Sequence, residues 1–256
     1  MLYFERFLPS FLKRRLEIAR INLDIAFPHL SFEAKERVLR DCILFFREAL
    51  KEIILLKPYE RRWLEKNVVI NNYIHLKKLI EERPVVFLSG HFSNFEILPQ
   101  LCVFFDSKFK FFSKPVKPLL LDSLVRILRQ RNGAIFCDSF FQVLESEKTA
   151  FGFLFDQHSS RKNALKTVFF SRECCFNPVP IFFVEKFSYV PVFCYLTKTN
   201  NMYHFFWDAI DVDKSDFAWP NKLARALNVE LEKIIARQPE QWFWFHRRWK
   251  GTVNYP

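Results

Sequence analysis

The chain has 256 residues, of which 50% are hydrophobic and 26% are charged, so a disordered protein is excluded. No apolar run reaches the roughly 18 residues that a membrane-spanning helix needs, and the first residues lack the organisation of a cleavable signal peptide. The 39 Lys and Arg residues outnumber the 28 Asp and Glu residues and give a net charge of +11. This charge, in a chain with 33 Phe residues, favours an anionic partner such as a membrane surface, a nucleic acid or an acidic protein.

Two amphipathic helices are predicted in the N-terminal segment, residues 1–56. The first is basic and carries apolar residues at helical spacing, namely Phe7, Phe11, Leu12, Leu16, Ala19 and Leu23. It is either an ordinary surface helix or a helix that lies on an anionic bilayer, and the pattern leaves both readings open. Pro28 ends this helix, and Ser31 is expected to cap a second one that runs to about Leu56.

A third short helix is predicted over 70–82, and from Pro84 short apolar runs alternate with helical stretches. The runs are Val85–Ser89, Ala134–Cys137, Phe151–Phe155, Thr167–Phe170 and Val190–Leu196, and the helical stretches lie near 117–132, 178–188 and 217–237. This alternation is typical of a buried sheet covered on both faces. The predicted fold is a single α/β domain over residues 1–256, with a central, mostly parallel mixed sheet in a core of 84–250 and helices before it.

The six cysteines form no C-x-x-C pair and show no metal-ligand spacing with His, so no metal site is predicted. Most of them lie inside apolar runs. We interpret them as reduced core residues of a cytoplasmic protein.

The most informative segment follows the predicted strand Val85–Ser89. His91 comes two residues after the strand and Glu96 five residues after His91, at the kind of strand end where α/β sheets place their sites. The two side chains can meet only if the backbone turns between them, because an ideal helix would set them about 140° apart. A carboxylate that orients His91 would make it a general base.

An alternative interpretation is purely structural. Ser93-x-x-Glu96 has the form of a capping box, in which Glu96 only caps a helix. Pro99 argues against this reading because it would fall inside that helix. The chain has no G-x-S-x-G nucleophile elbow, which favours direct transfer over a covalent intermediate.

The segment Gly90–Glu96, with its Asn-aromatic-Glu ending, resembles the H-x4-D/E motif of glycerolipid acyltransferases. More closely, it resembles the late (secondary) acyltransferases of lipid A biosynthesis, the lauroyl/myristoyl transferase family. Further segments match that family in order: Arg15-x4-Arg20-x-Asn22-Leu23-x3-Phe27-Pro28, Ser113-Lys114-Pro115 with Arg129-Gln130-Arg131-Asn132-Gly133, Phe155-Asp156-Gln157 with Val168-Phe169-Phe170, and Pro239-Glu240-Gln241-Trp242-x-Trp244-x-His246-Arg247-Arg248-Trp249-Lys250. The resemblance therefore covers nearly the whole chain.

Two departures from the family pattern stand out. Members usually begin with a hydrophobic anchor helix, which this sequence lacks, so the chain is either an anchorless member or a form without that segment. Ser93 occupies a position where Gly is common and is expected to stiffen the loop after His91. Neither departure removes a catalytic group.

The resemblance implies transfer of a fatty acyl chain from acyl carrier protein to a hydroxyl on an anionic lipid A precursor, at the cytoplasmic face of the inner membrane. It requires no metal or other cofactor. His91 would be the base and Glu96 its orienting acid. Arg129 would stabilise the oxyanion, and Asp156, which could otherwise merely cap a loop, would be a site residue that organises Arg129 through an ion pair.

The remaining site residues implied by the resemblance bind the acceptor. Arg126 and Arg131 share a helical stretch with Arg129, which ends at Gly133, the expected left-handed residue after the helix. Without the family, this stretch could equally be a solvated basic face. Asn94, Arg247 and Arg248 complete the expected substrate-binding set. The C-terminal run of Trp and basic residues is expected to be structural and also to present Arg247 or Arg248 to anionic headgroups; the alternative is core packing with Arg stacked on Trp.

Three other functions compete with this interpretation. A nucleic-acid-binding module is disfavoured because the Phe residues lie within apolar runs rather than alternating with Lys and Arg. The same chemistry on another glycolipid or a lysophospholipid is a closer alternative. A catalytically silent lipid-binding scaffold is the third.

Overall fold

The computed structural model describes residues 9–102, 104–105, 109–112, 126–127, 129–130, 133, 135–137, 150–159 and 164–256. Its helices are α1 (Ser10–Ala26), α2 (Phe32–Ile54), α3 (Arg61–Asn67), α4 (Tyr73–Glu82), α5 (Ile97–Cys102), α6 (Val179–Phe187) and α7 (Trp219–Arg237), with 3-10 turns at Lys57–Tyr59 and Pro239–Gln241. Its strands are β1 (Val68–Ile70), β2 (Val85–Ser89), β3 (Lys110–Phe112), β4 (Ile135–Cys137), β5 (Phe151–Leu154), β6 (Leu165–Phe169), β7 (Arg172–Phe176), β8 (Val190–Thr199) and β9 (Met202–Ala209). Within these described ranges, no helix combines the length and the apolar character needed to cross a membrane.

Seven strands form one sheet in the order β1-β9-β8-β2-β5-β3-β4. All neighbouring pairs are parallel except β8 and β9, which are antiparallel, and β6 and β7 form a separate antiparallel hairpin. The predicted mostly parallel mixed sheet is therefore confirmed. The sheet nevertheless starts earlier than predicted, because β1 lies before residue 84 and pairs with β9 at its edge.

Both faces of the central strand β2 are buried, as its apolar run predicts. In β2, Val85 and Phe87 pack into a cluster with residues of α3, α4 and α5. Val86 and Leu88 point to the opposite face and pack with residues of α1, α2, α6 and α7. All four are at most 2% exposed, so the strand that leads to His91 is fixed by packing on two sides.

The N-terminal helices are tied to the C-terminal segment. The Asn22 side-chain amide of α1 donates to the carbonyl oxygens of Trp244 and His246 at 2.7 and 2.8 Å, and it is fully buried. Arg20 of α1 makes a two-pronged ion pair with Glu36 of α2, and Ser31 caps α2 as predicted, accepting from the Ala34 amide. The two ends of the chain therefore form one packed unit.

The described cysteine side chains are free thiols. Four of them are buried and Cys175 is half-buried, in agreement with the predicted reduced state.

Candidate active site

Two neighbouring strand ends bring the central pair of side chains together. Strands β2 and β5 are parallel and in a register that sets Ser89 opposite Leu154. His91 follows Ser89 by two residues, and Asp156 follows Leu154 by the same two residues. Equal offsets from a parallel register place the two side chains at one edge of the sheet, where α/β proteins build their sites.

Between the strand and His91, Gly90 allows this close approach. A Cβ atom at Gly90 would lie 3.1 Å from Oδ2 of Asp156 and 2.9 Å from a methyl carbon of Leu231. A side chain here would therefore push against the carboxylate.

His91 and Asp156 form a short, well-enclosed hydrogen bond. Nδ1 of His91 lies 2.6 Å from Oδ1 of Asp156. The other oxygen, Oδ2, accepts from the His91 backbone N–H at 2.8 Å and from Nε1–H of Trp242 at 2.9 Å. Burial by itself would raise the pKa of Asp156, but the charge of His91 and these donated hydrogen bonds outweigh it and hold the pKa well below its usual range. Asp156 is therefore a carboxylate at neutral pH.

This carboxylate decides which His91 nitrogen carries the proton. Because Oδ1 can only accept, the proton of neutral His91 lies on Nδ1, and Nε2 keeps a lone pair that can take a proton. The Gln157 amide nitrogen lies 3.0 Å from Nε2 and can donate to it. The His91 side chain is 16% exposed and lines a cavity.

The expected pairing of Glu96 with His91 is wrong in this structure. Both carboxylate oxygens of Glu96 accept hydrogen bonds from Arg129, and Oε2 accepts from Nε at 2.8 Å. The Tyr59 hydroxyl lies 3.4 Å from the same Oε2. The loop takes a left-handed turn at Ser93, where φ is 56°, and α5 begins directly after Glu96. Glu96 thereby meets the Arg129 guanidinium. The expected ion pair between Asp156 and Arg129 is also wrong, because Asp156 pairs with His91 and Arg129 pairs with Glu96.

The capping-box alternative is also wrong. The Ser93 hydroxyl is buried and has no hydrogen-bond partner among the described residues, so it caps no amide. Pro99 is the third residue of α5, in the first helical turn, where its missing N–H breaks no helical hydrogen bond.

A cavity of about 250 Å³ lies in front of these groups. The polar side chains His91, Glu96, Arg129 and Gln157 line one part of it. Aromatic rings supply most of the remaining wall, namely Phe95, Phe111, Phe112, Phe136, Phe153 and Phe155. The arrangement places a proton acceptor and a guanidinium in the same cavity as six aromatic rings.

The match to known families covers nearly the whole chain. The profile of the bacterial lipid A biosynthesis acyltransferase family matches residues 4–251. The chain belongs to this family. It is therefore an acyltransferase, and its family acts in lipid A biosynthesis.

Two curated proteins illustrate how distant the relatives are. The lipid A biosynthesis palmitoleoyltransferase of Escherichia coli (strain K12) is 24% identical over 249 residues, which cover 94% of this chain and 80% of the relative. The lipid A biosynthesis acyltransferase of Shigella flexneri matches with the same identity and coverage.

In this acyltransferase, Asn94 does not face the cavity as a substrate-binding residue. It is 2% exposed, and its amide donates to Glu52 of α2 at 3.0 Å. The same carboxylate accepts from Lys198 and Tyr203, each at 2.6 Å. Asn94 thus anchors the loop after His91 to a buried polar cluster between α2 and the sheet.

Arg248 is likewise a structural residue rather than a headgroup contact. It is fully buried, donates to the Cys175 carbonyl oxygen at 2.8 Å and stacks 5.1 Å from the Phe169 ring centre. Arg247 is half-buried and lines a separate cleft.

The arginine stretch is described only in part. Arg126 is half-buried and is not among the residues that line the cavity, while Arg131 lies outside the described residues. Their role in acceptor binding stays a prediction. Gly133 has φ of 97°, so the left-handed residue expected there is confirmed.

Sequence reasoning assigned no role to Gln157, Trp242 or His246 beyond their place in family segments. The His246 ring is 7% exposed and packs edge-on against Trp242, 5.0 Å between ring centres. Burial lowers the pKa of His246 to about 4, so it is neutral at pH 7. The described residues contain no group of three or more His, Cys, Asp or Glu arranged to hold a metal ion.

Proposed function

We propose that this acyltransferase transfers a fatty acyl chain from acyl carrier protein to a hydroxyl of a hydroxyacyl chain on a lipid A precursor. The observation that carries the proposal is the His91–Asp156 pair at the mouth of an aromatic cavity. An apolar cavity suits the acyl chain of the donor, and a tautomer-fixed imidazole suits activation of an alcohol.

In the proposed reaction, Nε2 of His91 takes the proton of the acceptor hydroxyl as its oxygen attacks the thioester carbonyl carbon. The Gln157 amide, which lies against Nε2, moves aside for this hydroxyl. Asp156 stabilises the imidazolium that forms. A positioned base such as His91 is worth about 10²–10⁴ in rate.

The tetrahedral intermediate carries a negative oxygen that needs donors. Arg129 lines the cavity, and Glu96 holds its guanidinium plane by two hydrogen bonds, so we assign Arg129 to this oxygen. The intermediate then collapses, the carbon–sulfur bond breaks, and the thiolate takes the proton from His91. The products are an ester on the acceptor and the free thiol of the carrier.

The surface of the N-terminal helices supports action at the cytoplasmic face of the inner membrane. Apolar side chains are exposed on α1 and α2, including Phe11 at 65% and Ile54 at 67%. Both helices also carry exposed arginines. A surface of this composition favours attachment to an anionic bilayer. The net charge of +11 also suits the acidic carrier protein proposed as donor.

Mass spectrometry tests the proposal. A lipid A precursor is incubated with the protein and a mixture of acyl-carrier-protein thioesters. We expect a mass gain of one acyl group with the wild type and an initial rate of that gain about 10²–10⁴-fold lower with His91→Ala. Transfer to a lysophospholipid or another glycolipid alone would replace the acceptor, and equal transfer by both proteins would remove His91 from the reaction.

A further inference from the structure

A cationic cleft opens beside the catalytic cavity. It has a volume of about 800 Å³, and Gln157 and His158 line both spaces. Four basic side chains among the described residues line the cleft, two from the start of α1 and two from the C-terminal segment: Arg14, Arg15, Arg247 and Lys250. The cleft thus lies next to the site where His91 acts.

The charge of this cleft is poorly neutralised by protein groups. In the described part of the chain, no ion pair joins any of the four cations to a side-chain carboxylate. Arg15 donates to the Phe245 carbonyl oxygen, while Arg14 and Arg247 both donate to an oxygen of Pro256, the last residue. Even a terminal carboxylate there leaves a net positive cluster. The first turn of α1 also contains no acidic residue, so its positive end adds to the field.

The cleft also offers a buried hydrogen-bond acceptor. Nδ1–H of neutral His246 donates to the Phe243 carbonyl oxygen at 2.8 Å, which leaves a lone pair on Nε2. Nε2 is buried and has no hydrogen-bond partner among the described residues, and His246 lines the cleft. A buried acceptor without a donor is costly, so Nε2 is a polar feature of the cleft wall that no described group satisfies.

An apolar groove adjoins the cleft. Its volume is about 640 Å³, and it shares Arg15, Gln157 and His246 with the cleft. The other described residues in its wall are apolar: Leu12, Leu16, Ile43, Phe243 and Phe245. Cations in a concavity and an adjoining apolar groove together match a phosphorylated sugar that carries fatty chains.

We infer that this cleft binds the phosphate-bearing sugar of the acceptor glycolipid, with Arg14, Arg15, Arg247 and Lys250 as its phosphate contacts. This inference rests on the proposed function. It assigns the acceptor to the cleft and groove, and it leaves the aromatic cavity to the donor chain. An acidic carrier protein fits less well, because the basic groups line a concavity with an adjoining apolar groove.

Paired charge-removing variants test the assignment. Arg14→Gln/Lys250→Gln removes two cleft charges at exposed positions, and Arg40→Gln/Arg47→Gln removes two exposed charges from α2, outside the cleft. Binding of a bisphosphorylated lipid A precursor and of its dephosphorylated form is measured in neutral detergent micelles. We expect the cleft pair to weaken binding of the phosphorylated form about tenfold or more and to leave the dephosphorylated form unchanged. Equal effects of the two pairs, or equal losses for both glycolipids, would overturn the inference.

Two further arms identify the source of the phosphate. Inorganic pyrophosphate is expected to compete with the glycolipid for the wild-type protein. If pyrophosphate binds but does not displace the glycolipid, the cleft takes free phosphate instead of the glycolipid. Cleft variants that raise the KM for acyl carrier protein, with acceptor binding intact, would assign the cleft to the carrier. Either result overturns the inference.

The binding assay separates this inference from the proposed function. If the wild type binds the phosphorylated glycolipid through the cleft but transfers no acyl group, the proposed reaction is wrong and the cleft assignment stands. If acyl transfer is normal and the cleft and control pairs bind the glycolipid alike, the cleft assignment is wrong and the proposed reaction stands.

Discussion

Replacing Asp156 by Asn removes a charge from the site while keeping the size of the side chain. Three donated hydrogen bonds converge on this carboxylate, from the His91 backbone N–H, Trp242 and the His91 ring. If the Asn carbonyl oxygen faced the ring, its NH₂ group would meet the other two N–H donors. The favoured orientation turns the carbonyl oxygen to those two donors and the NH₂ group to Nδ1 of His91.

In this orientation Nδ1 must accept a hydrogen bond, so the ring proton moves to Nε2. Nε2 can then no longer take a proton from the acceptor hydroxyl. The same exchange in a Ser-His-Asp triad costs about 10⁴-fold, and we expect kcat to fall by about 10³–10⁴ here, which is about 4–5.5 kcal/mol of transition-state stabilisation. Single-turnover acyl transfer measures the rate, and the ¹⁵N shifts of the imidazole report the tautomer.

Two results would refute this reasoning. The first is an Asp156→Asn protein whose rate is within threefold of wild type. The second is a large rate loss with the proton of His91 still on Nδ1, because the loss would then come from something other than the tautomer.

Three other substitutions test the site and its packing. Glu96→Gln loosens the hold on Arg129, so we expect kcat to fall about tenfold to hundredfold with the His91 tautomer unchanged in the ¹⁵N spectra; a switched tautomer would contradict this. The pKa of His246 is lowered from 6.5 to about 4, so between these pH values the unfolded chain binds one more proton. The free energy of unfolding should then fall by about 1.4 kcal/mol per pH unit of acidification in this window, and His246→Asn should flatten the slope in urea titrations. Ser93→Gly removes a left-handed Ser with a buried unpaired hydroxyl, so we expect a gain of about 1 kcal/mol; a lower melting temperature would count against the strain at Ser93.

Local patterns were enough to predict much of the fold. The run Val85–Ser89 has four apolar residues followed by Ser89 and is bounded by Pro84 and Gly90, and the structure gives β2 the same limits. The cap of α2 is also local, because the Ser31 hydroxyl accepts a hydrogen bond from the backbone N–H of Ala34, three residues along the chain. By contrast, β1 was missed because it has three residues and owes its extended conformation to pairing with β9, far along the chain.

The catalytic pair shows the same division between local and distant information. His91 and Asp156 were each singled out at a strand end, but their contact depends on β2 lying next to β5, while β3 and β4 lie on the far side of β5. The sequence carries no local signal for that strand order. Glu96, only five residues from His91, was therefore the visible partner, although a left-handed turn at Ser93 directs it to Arg129.

The prediction that Arg248 contacts headgroups is wrong for a related reason. A run of basic and aromatic residues suits both a surface and a core, and only the packing of Phe169, Cys175 and Asn228 around the guanidinium decides between them.

The most direct test of the central claim, that His91 is the base of an acyltransferase, is chemical rescue. Single-turnover acyl transfer by His91→Ala is measured with and without added imidazole. We expect a rate about 10²–10⁴-fold below wild type that rises with the imidazole concentration, because the free base replaces the missing ring. A His91→Ala protein that transfers acyl groups at the wild-type rate without imidazole would contradict the account.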